Sequence, residues 1–398
     1  MSAPMDIKLP RAGLAGWVLR RLLAGRLAEG SLVITTPNGA RVANPGAGPG
    51  PAAEIVLHNW RALRRLALRG DLGLAEAYID GDWDSPDLAA LLELGARNIA
   101  VADAHSDGVW FFTALRKFWH RLQSNTKRGA RRNIEAHYDL GNEFYAAWLD
   151  KDMTYSSGIF AGPHTTLEDA QRAKQNRVME LLGLQGGERI LEIGCGWGAL
   201  AHRLAVETQA KVTGITLSPA QAKIAGQRVA GLPAEIQLQD YRDMRSVFDR
   251  IVSIEMLEAV GAAYWPEYFA KLSACLAPGG RAVLQVISIA EDRFEMYLRR
   301  PDFIQLHIFP GGMLPTIEIM GQEITRAGLK LESLDRFGDS YAQTLAAWHQ
   351  RFEAAWETLR LQGFDERFRR KWRYYLKYCE GGFRAQSIDV GLYAIVKP

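Results

Sequence analysis

Short apolar runs alternate with longer amphipathic segments over the C-terminal two thirds of the chain. Runs rich in Val, Ile and Leu predict strands, and apolar positions at helical spacing between them, as in residues 218–230 and 264–276, predict helices. The predicted strands are residues 189–195, 211–217, 234–240, 249–256, 281–289, 329–337 and 390–398. Strands that alternate with helices predict an α/β fold with a parallel, doubly wound, Rossmann-like sheet.

The N-terminal third has a different pattern. Residues 14–29 predict a helix, and residues 31–42 predict two strands around a Pro-Asn-Gly turn. A Gly/Pro/Ala-rich stretch, residues 43–51, is interpreted as a link, after which strand and helix patterns continue to about Ala100. This part of the chain is therefore predicted to form a small α+β domain. Residues 290–314 form an insertion after the fifth predicted strand and contain a glycine-rich turn.

Composition narrows the class of protein. The chain has 398 residues, of which 48% are hydrophobic and 23% charged, which excludes disordered, collagen-like and disulfide-rich proteins. Its three cysteines show no C-x-x-C spacing, so neither a disulfide framework nor a zinc site is indicated. Without an apolar run of membrane-spanning length or a signal-peptide pattern, we expect a cytoplasmic protein that does not cross a membrane.

The net charge of +3 conceals an uneven distribution. Residues 1–134 contain 18 basic and 12 acidic side chains, and residues 116–132 contain seven basic and no acidic ones. Arginine, which supplies 36 of the 48 basic residues, suits phosphate recognition. A basic linker of this kind is compatible with nucleic acid, with phospholipid headgroups or with plain solvation. The helix at 14–29 could likewise lie on a lipid surface or pack on its own domain.

A glycine-rich segment follows the first strand of the predicted sheet. Gly194, Gly196 and Gly198 come directly after Glu192, at the carboxyl end of the strand where such sheets bind ligands. The spacing also fits a dinucleotide fingerprint, but that site needs an acidic residue about twenty positions further on. The second strand ends instead in Thr216-Leu217-Ser218.

The string ILEIGCGWG resembles the first motif of class I S-adenosylmethionine-dependent methyltransferases. The resemblance implies S-adenosylmethionine as cofactor, held by the glycine loop and by side chains near the neighbouring strand ends. The candidate cofactor-binding residues are Tyr155, Ser156, Glu192, Gly194, Gly196, Gly198, Thr216, Leu217, Gln221, Asp240 and Tyr241. Because the acid after the second strand is missing, Thr216 and Gln221 are expected to supply polar contacts there, and Asp240 to meet the adenine edge.

Flanking segments carry a closer resemblance, to the cyclopropane-fatty-acyl-phospholipid synthase family. The resemblance lies in residues 133–160, 256–261 and 340–348 and in the insertion motif DFIQLHIFPGGMLP. Residues 72–98 are similar to the accessory domain of full-length bacterial members. The likeness implies an N-terminal, lipid-associated domain at 1–115, a basic linker at 116–132 and a catalytic methyltransferase domain at 133–398.

This resemblance implies a reaction and a set of catalytic residues. Family members transfer a methyl group to a cis double bond of an acyl chain, and the resulting carbocation loses a proton as a cyclopropane ring closes. A bicarbonate ion accepts the proton, held by a cysteine, a glutamate, a histidine, a backbone amide and a tyrosine. The glutamate, amide and tyrosine correspond to Glu258, Ile287 and Tyr341, whereas Ser157 stands at the cysteine position and Gln285 at the histidine position.

Several questions stay open at this stage. A weakened base would leave a methyl-branched unsaturated chain, and Glu258 could itself act as the base. Tyr155, Phe160, Phe144 and Tyr341 are candidates for stabilising the cation, each with ordinary core packing as the alternative. His137 is interpreted as an orienting or structural residue.

We expect an unsaturated phospholipid of an anionic bilayer as substrate, peripheral attachment at the inner membrane surface and, by family implication, a homodimer. A methyltransferase acting on nucleic acid is disfavoured because Ser253-Ile254-Glu255-Met256 stands where an N-P-P-Y motif would lie. A non-enzymatic lipid-binding protein is disfavoured by the intact glycine loop.

Overall fold

The computed structural model describes residues 27–99 and 140–398. These fall into two compact units, the first holding residues 27–99 and Phe364–Ala385, the second residues 140–363 and Gln386–Pro398. Three features singled out in the sequence lie outside the described residues: most of the predicted helix at 14–29, the basic linker at 116–132 and His137.

The first unit is built on a four-stranded sheet in the order β2-β1-β3-β4. Its elements are β1 (Glu29–Thr35), β2 (Arg41–Pro45), β3 (Gly48–Leu57), α1 (Arg61–Ile79), β4 (Trp83–Asp84) and α2 (Leu88–Arg97). Strands β1 and β2 pair antiparallel, which confirms the predicted hairpin around the Pro-Asn-Gly turn. Helix α1 is kinked at Gly70, whose φ is +62°.

The interpretation of residues 43–51 as a link is wrong, because β2 and β3 occupy most of this stretch. Its glycines permit close approach of two backbones. A Cβ on Gly46 would lie 2.6 Å from the carbonyl oxygen of Gly30, and one on Gly50 would lie 2.7 Å from the Gly30 nitrogen. Glycine therefore serves here in strand packing and not in chain flexibility.

A C-terminal helix, α13 (Glu366–Arg384), belongs to the first unit, although the predicted catalytic domain at 133–398 includes it. Gly381 allows it to lie against α2, since a Cβ there would come within 2.7 Å of the Glu93 nitrogen. Arg370 donates hydrogen bonds to the carbonyl oxygens of Tyr78 and Trp83. The domain is thus discontinuous in sequence, which no local pattern indicates. The helix is amphipathic and buries four of its aromatic side chains, Trp372, Tyr374, Tyr375 and Phe383.

The second unit contains a seven-stranded sheet that confirms the predicted α/β fold. Its strands are β5 (Arg189–Ile193), β6 (Lys211–Thr216), β7 (Ala234–Leu238), β8 (Phe248–Ile254), β9 (Leu276–Ile289), β10 (Lys330–Arg336) and β11 (Ile388–Val396). The order is β10-β11-β9-β8-β5-β6-β7. Strands β5 to β9 pair in parallel, and β11 is antiparallel to both of its neighbours.

Helices cover both faces of this sheet. They are α3 (Asn142–Ala146), α4 (Leu167–Leu182), α5 (Ala199–Thr208), α6 (Pro219–Arg228), α7 (Trp265–Cys275), α8 (Glu291–Arg299), α9 (Phe303–His307), α10 (Ile317–Arg326), α11 (Gly338–Ala354) and α12 (Trp356–Leu361). On β5, Ile190 packs in a core cluster with α4 and α5, whereas Leu191 packs in another with α7 and α10. This alternation explains why the strands are apolar throughout. Helices α8 and α9 lie within the predicted insertion.

Within residues 27–99 and 140–398, no helix combines the length and apolar character needed to cross a bilayer.

Candidate active site

The site lies where the strand order reverses. From β5 the chain continues to β6 and β7 on one side, then returns to β8 and β9 on the other, so the carboxyl ends of β5 and β8 flank a crevice. Ile193 of β5 is paired with Ser253 of β8. The loops that follow these strands are in contact, since a Cβ on Gly194 would lie 3.1 Å from Cγ of Met256.

The three glycines of the loop after β5 all have positive φ, between +53° and +82°. Gly198 packs closely on α6, because a Cβ there would lie 2.9 Å from that of Ala225. A Cβ on Gly196 would meet no protein atom within 4 Å in the described part of the chain. Gly196 therefore exposes its backbone to open space at the start of α5, which fits close approach of a bound cofactor.

The end of β6 carries the two polar residues that are predicted to stand in for the acid. Thr216 donates a hydrogen bond from Oγ1 to Oε1 of Gln221 over 2.8 Å, and both side chains are buried. Ser218 caps α6 because its hydroxyl accepts a hydrogen bond from the Gln221 nitrogen. Leu217 lies between Thr216 and Ser218 in the chain. The structure thus brings Thr216 and Gln221 together in a neutral, hydrogen-bonded pair, and their expected contact with the cofactor stays a prediction.

Asp240 and Tyr241 follow β7. The Asp240 carboxylate forms a buried ion pair with Arg242, with 2.6 Å between Oδ2 and Nη2. The Tyr241 ring packs edge-on against Tyr268, with 5.3 Å between ring centroids, inside the hydrophobic core. A cofactor contact from Asp240 would therefore share the carboxylate with the guanidinium, and Tyr241 contributes first to core packing.

A glutamate that the sequence reasoning passed over is the centre of the polar network. Glu255 follows β8 with a φ of +48°, and its backbone nitrogen donates to the Gln285 carbonyl over 2.8 Å. Its Oε1 accepts from the Ser157 nitrogen at 2.8 Å and from Gln285 Nε2 at 2.7 Å. Its Oε2 accepts from the Tyr341 hydroxyl at 2.5 Å. Three of the predicted catalytic residues therefore converge on Glu255.

The other two predicted catalytic residues, Glu258 and Ile287, contact each other. The Ile287 nitrogen donates to Oε1 of Glu258 over 2.6 Å. Because Gln285 and Ile287 are two residues apart on β9, they serve neighbouring carboxylates from one strand. Burial raises the pKa of Glu258 to about 8, and the negative charge of Glu255 adds to the shift. Glu258 is therefore mainly protonated at neutral pH.

A buried lysine, also missed from the sequence, balances these acids. Lys174 of α4 donates from Nζ to the Ser156 hydroxyl over 2.6 Å. Burial lowers its pKa to about 8, against the attraction of Glu255, Asp150 and Glu192. Burial also raises the pKa of Glu192 to about 8. Among the described residues, Oε2 of Glu192 has no hydrogen-bond partner.

Aromatic rings surround the segment that holds Tyr155, Ser156 and Ser157. Tyr155 lies 5.3 Å from Trp348 and 5.4 Å from Tyr145 between ring centroids, and Tyr341 lies 6.1 Å from Trp348. Of the four candidates for stabilising a cation, Tyr155 and Tyr341 thus share a neighbour. Phe144 is fully buried and packs edge-on against Trp148 and Phe352, as expected for a core residue.

The sequence could have revealed one of the two missed residues, Glu255 and Lys174, but not the other. Glu255 lies at the carboxyl end of the predicted strand at 249–256, where the strand order reverses, so the rule for doubly wound sheets could have identified it. Lys174 lies in an amphipathic helix among other charged residues, and its burial leaves no local signal.

The fold and the glycine-loop site define a class I S-adenosylmethionine-dependent methyltransferase. The mycolic acid cyclopropane synthetase family matches residues 125–392, and the chain belongs to this family. This confirms the family resemblance and the enzyme class expected from the motifs.

Two curated relatives are similar over most of the chain. UfaA1 of Mycobacterium tuberculosis, named a tuberculostearic acid methyltransferase, is 37% identical over 99% of this chain and 95% of its own length. Cyclopropane-fatty-acyl-phospholipid synthase of Escherichia coli is 37% identical over 88% of this chain and 89% of its own. The solved structure of the mycolic acid cyclopropane synthase CmaA1 with SAH and CTAB has a TM-score of 0.63 and 30% identity. It matches 67% of this chain and 98% of that one.

The cofactor is S-adenosylmethionine, which supplies an electrophilic methyl group when bound. The open face of Gly196 and the buried Glu192 fit it. We propose that the glycine loop, Thr216 and Gln221 hold it.

Proposed function

We propose that the enzyme transfers a methyl group from S-adenosylmethionine to the cis double bond of an unsaturated acyl chain in a membrane phospholipid. The observation that carries this proposal is a buried carboxylate pair, Glu255 and Glu258, next to an aromatic cluster at the sheet's ligand crevice. An enzyme for a polar substrate has no need of such apolar surroundings, whereas a cationic hydrocarbon intermediate needs both aromatic faces and a base.

An alkene is a weak nucleophile, so the protein must align it, exclude water and stabilise the cation. We infer that Tyr155 and Tyr341 present their rings to the cation, since both pack on Trp348. A desolvated aromatic face contributes about 2 kcal/mol to such stabilisation. The hydroxyl of Tyr341 donates to Glu255, which fixes its ring beside that carboxylate.

The product we propose is a cyclopropane chain, and a methyl-branched unsaturated chain is the second candidate. The relatives' names support each, since one is called a cyclopropane synthase and the other a tuberculostearic acid methyltransferase. Ser157 and Gln285 favour the second candidate, because they stand where the family resemblance implies a cysteine and a histidine.

The reaction is tested with S-adenosylmethionine labelled in its methyl group and vesicles of unsaturated phospholipid. We expect label in the acyl chains and a mass increase of one CH₂ per modified chain. Cleavage of the labelled chain by ozone would show that it has kept a double bond and would identify the branched product, because a cyclopropane ring resists ozone. Label that enters an oligonucleotide but no lipid would contradict the proposal, and saturated phospholipid vesicles are the control.

We propose further that the enzyme binds peripherally to an anionic bilayer at the inner membrane surface. Residues 1–134 carry a formal charge of +6. On the first unit, Trp60, Leu66 and Leu68 are exposed beside Arg64, with exposed fractions of 42%, 38% and 51% for the three apolar residues. Apolar side chains next to basic ones suit the boundary between headgroups and acyl chains.

The change Leu68→Ala is expected to weaken binding to anionic vesicles about five- to thirtyfold, because a leucine contributes about 1–2 kcal/mol more than alanine on burial. Sedimentation with vesicles at several salt concentrations measures this. Binding of both proteins should fall steeply with salt. The control is Leu361→Ala, which removes an even more exposed leucine from the second unit. Salt-insensitive binding, or equal loss in both variants, would contradict the assignment.

A further inference from the structure

The family resemblance implies a bicarbonate ion as base, but the described residues do not fit one. The donors expected to hold it are already engaged by carboxylates of the chain. Ser157, Gln285 and Tyr341 donate to Glu255, and the Ile287 amide donates to Glu258. The Ser157 hydroxyl, which stands at the cysteine position, donates to the Gly158 carbonyl over 2.9 Å.

We propose that the carboxylate of Glu255 is the resident base of this enzyme, and that the reaction proceeds without bicarbonate. This inference rests on the proposed function, because it assigns the proton acceptor of that reaction. A carboxylate and a bicarbonate present the same planar pair of oxygens to hydrogen-bond donors. The side chain of Glu255 therefore supplies from within the chain what would otherwise be an added anion.

The backbone of Glu255 supports a functional role. Its φ of +48° lies in the left-handed region, which costs a residue with a Cβ about 1 kcal/mol or more relative to glycine. The residue is half-buried and its carboxylate is withdrawn from water, which adds the cost of desolvating a carboxylate. A glutamate that is unfavourable in both respects persists where its carboxylate is needed.

The surrounding charges keep the proton on the neighbouring acid. Burial raises the pKa of Glu255, but the Tyr341 hydroxyl, the Ser157 amide, Lys174 and Gln285 all act to lower it. Glu258 receives only backbone donors and is repelled by Glu255. Two interacting carboxyls of this kind divide their roles, one ionised and one protonated. We assign Glu255 as the ionised member, because its carboxylate accepts three hydrogen bonds from the protein.

The proposed step transfers one proton and needs no oxidant or co-reactant. After methyl transfer, a C–H bond of the new methyl group breaks, and its electron pair forms the third bond of the ring at the cationic carbon. The proton passes to a carboxylate oxygen of Glu255 and then to water. If Glu255 takes a proton from a neighbouring chain carbon, the pair forms a double bond and the product is branched. Since such a proton is far more acidic than a carboxylic acid, the position of the base matters more than its strength.

The experiment compares the wild type, Glu255→Gln and Glu255→Gly in CO₂-free buffer with and without added bicarbonate. We expect the wild-type rate to be the same in both buffers. Glu255→Gln should lose about 10³-fold in rate, with no recovery on adding bicarbonate, because its amide fills the site without a charge. Glu255→Gly opens the space and suits the positive φ, so bicarbonate should restore its rate at least tenfold.

A second readout follows the anion itself. Line broadening of ¹³C-bicarbonate in NMR should show binding to Glu255→Gly and none to the wild type. Calorimetry with S-adenosylhomocysteine verifies that each variant is folded, with affinity within threefold of the wild type. A wild type whose rate depends on bicarbonate, or a Glu255→Gln variant within tenfold of the wild type, would overturn the inference. A wild type that methylates no lipid in either buffer would refute the proposed function, while the NMR comparison still tests the anion position.

Discussion

Replacing Lys174 by methionine is expected to lower the free energy of unfolding by about 3–5 kcal/mol at pH 7, the usual cost of removing one partner of a buried charge cluster. The side chain is fully buried, and its charge stabilises the ionised forms of Glu255, Asp150 and Glu192. Methionine keeps nearly the same length, so the loss is mainly electrostatic. The Ser156 hydroxyl also loses its hydrogen-bond donor.

The loss should depend on pH in a defined direction. The pKa of Glu192 and that of Glu258 rise from 4.5 to about 8 in the folded protein. The folded state therefore binds more protons than the unfolded one between these values, and stability falls as the pH rises through this window. The pKa of Lys174 moves from 10.5 down to about 8, so its own contribution runs the opposite way, with stability rising from pH 8 to 10.5.

Without Lys174, the pKa of each nearby carboxyl rises further. At pH 5 these carboxyls take up protons from the solution at little cost in free energy. At pH 8 keeping them protonated costs more free energy, because the proton concentration is a thousandfold lower. We therefore expect the destabilisation to be smallest near pH 5 and largest near pH 8. Urea unfolding followed by circular dichroism at pH 5, 7 and 8 measures it.

The matched control is Lys223→Met, which removes an exposed lysine from α6. It should change stability by less than about 0.5 kcal/mol at each pH. Equal effects of the two substitutions, or a loss at Lys174 that does not vary with pH, would mean that this charge cluster is not the source of stability inferred for it.

Strand and helix order could be predicted from the sequence because the central strands of the second unit, such as β5 and β9, are buried on both faces. Apolar runs such as residues 189–195 and 281–289 need no tertiary information to be recognised. The prediction of a link at residues 43–51 was wrong because glycine and proline normally indicate loops. Here the close backbone packing around Gly30 requires glycine. The assignment of the C-terminal helix to the catalytic domain was wrong for another reason. Its amphipathic pattern indicates that one face is buried but not which unit covers it.

In the candidate site, too, the sequence shows the individual residues, and only the fold shows which of them are in contact. Ser157 and Gln285 look like two independent departures from a bicarbonate site when only the sequence is considered. In space both residues meet at Glu255, where Gln285 donates from its side-chain amide and Ser157 from its backbone nitrogen. Glu255 stands three residues before Glu258, and the turn through a positive φ directs its carboxylate to donors about 30 to nearly 100 residues away in sequence. No spacing rule connects these positions, so their coupling required the fold.

The change Gly196→Ala is expected to weaken binding of S-adenosylhomocysteine about ten- to a hundredfold while the protein stays folded. A Cβ at this position meets no atom of the described chain within 4 Å, so it enters space that we assign to the cofactor. Forcing one extra carbon into a filled site costs about 1–3 kcal/mol, which corresponds to this loss of affinity. Isothermal titration calorimetry measures the dissociation constant.

Backbone strain must be separated from this steric effect, because Gly196 has a φ of +53°. Gly187→Ala is the matched control, since Gly187 also has a positive φ and open space around its Cβ but lies before β5, outside the cofactor loop. Both substitutions should lower the unfolding free energy by a similar amount, about 1 kcal/mol. Only the alanine at position 196 should weaken binding. If the two variants bind S-adenosylhomocysteine equally well, the cofactor does not pass over Gly196, and the loop's glycines serve the fold alone.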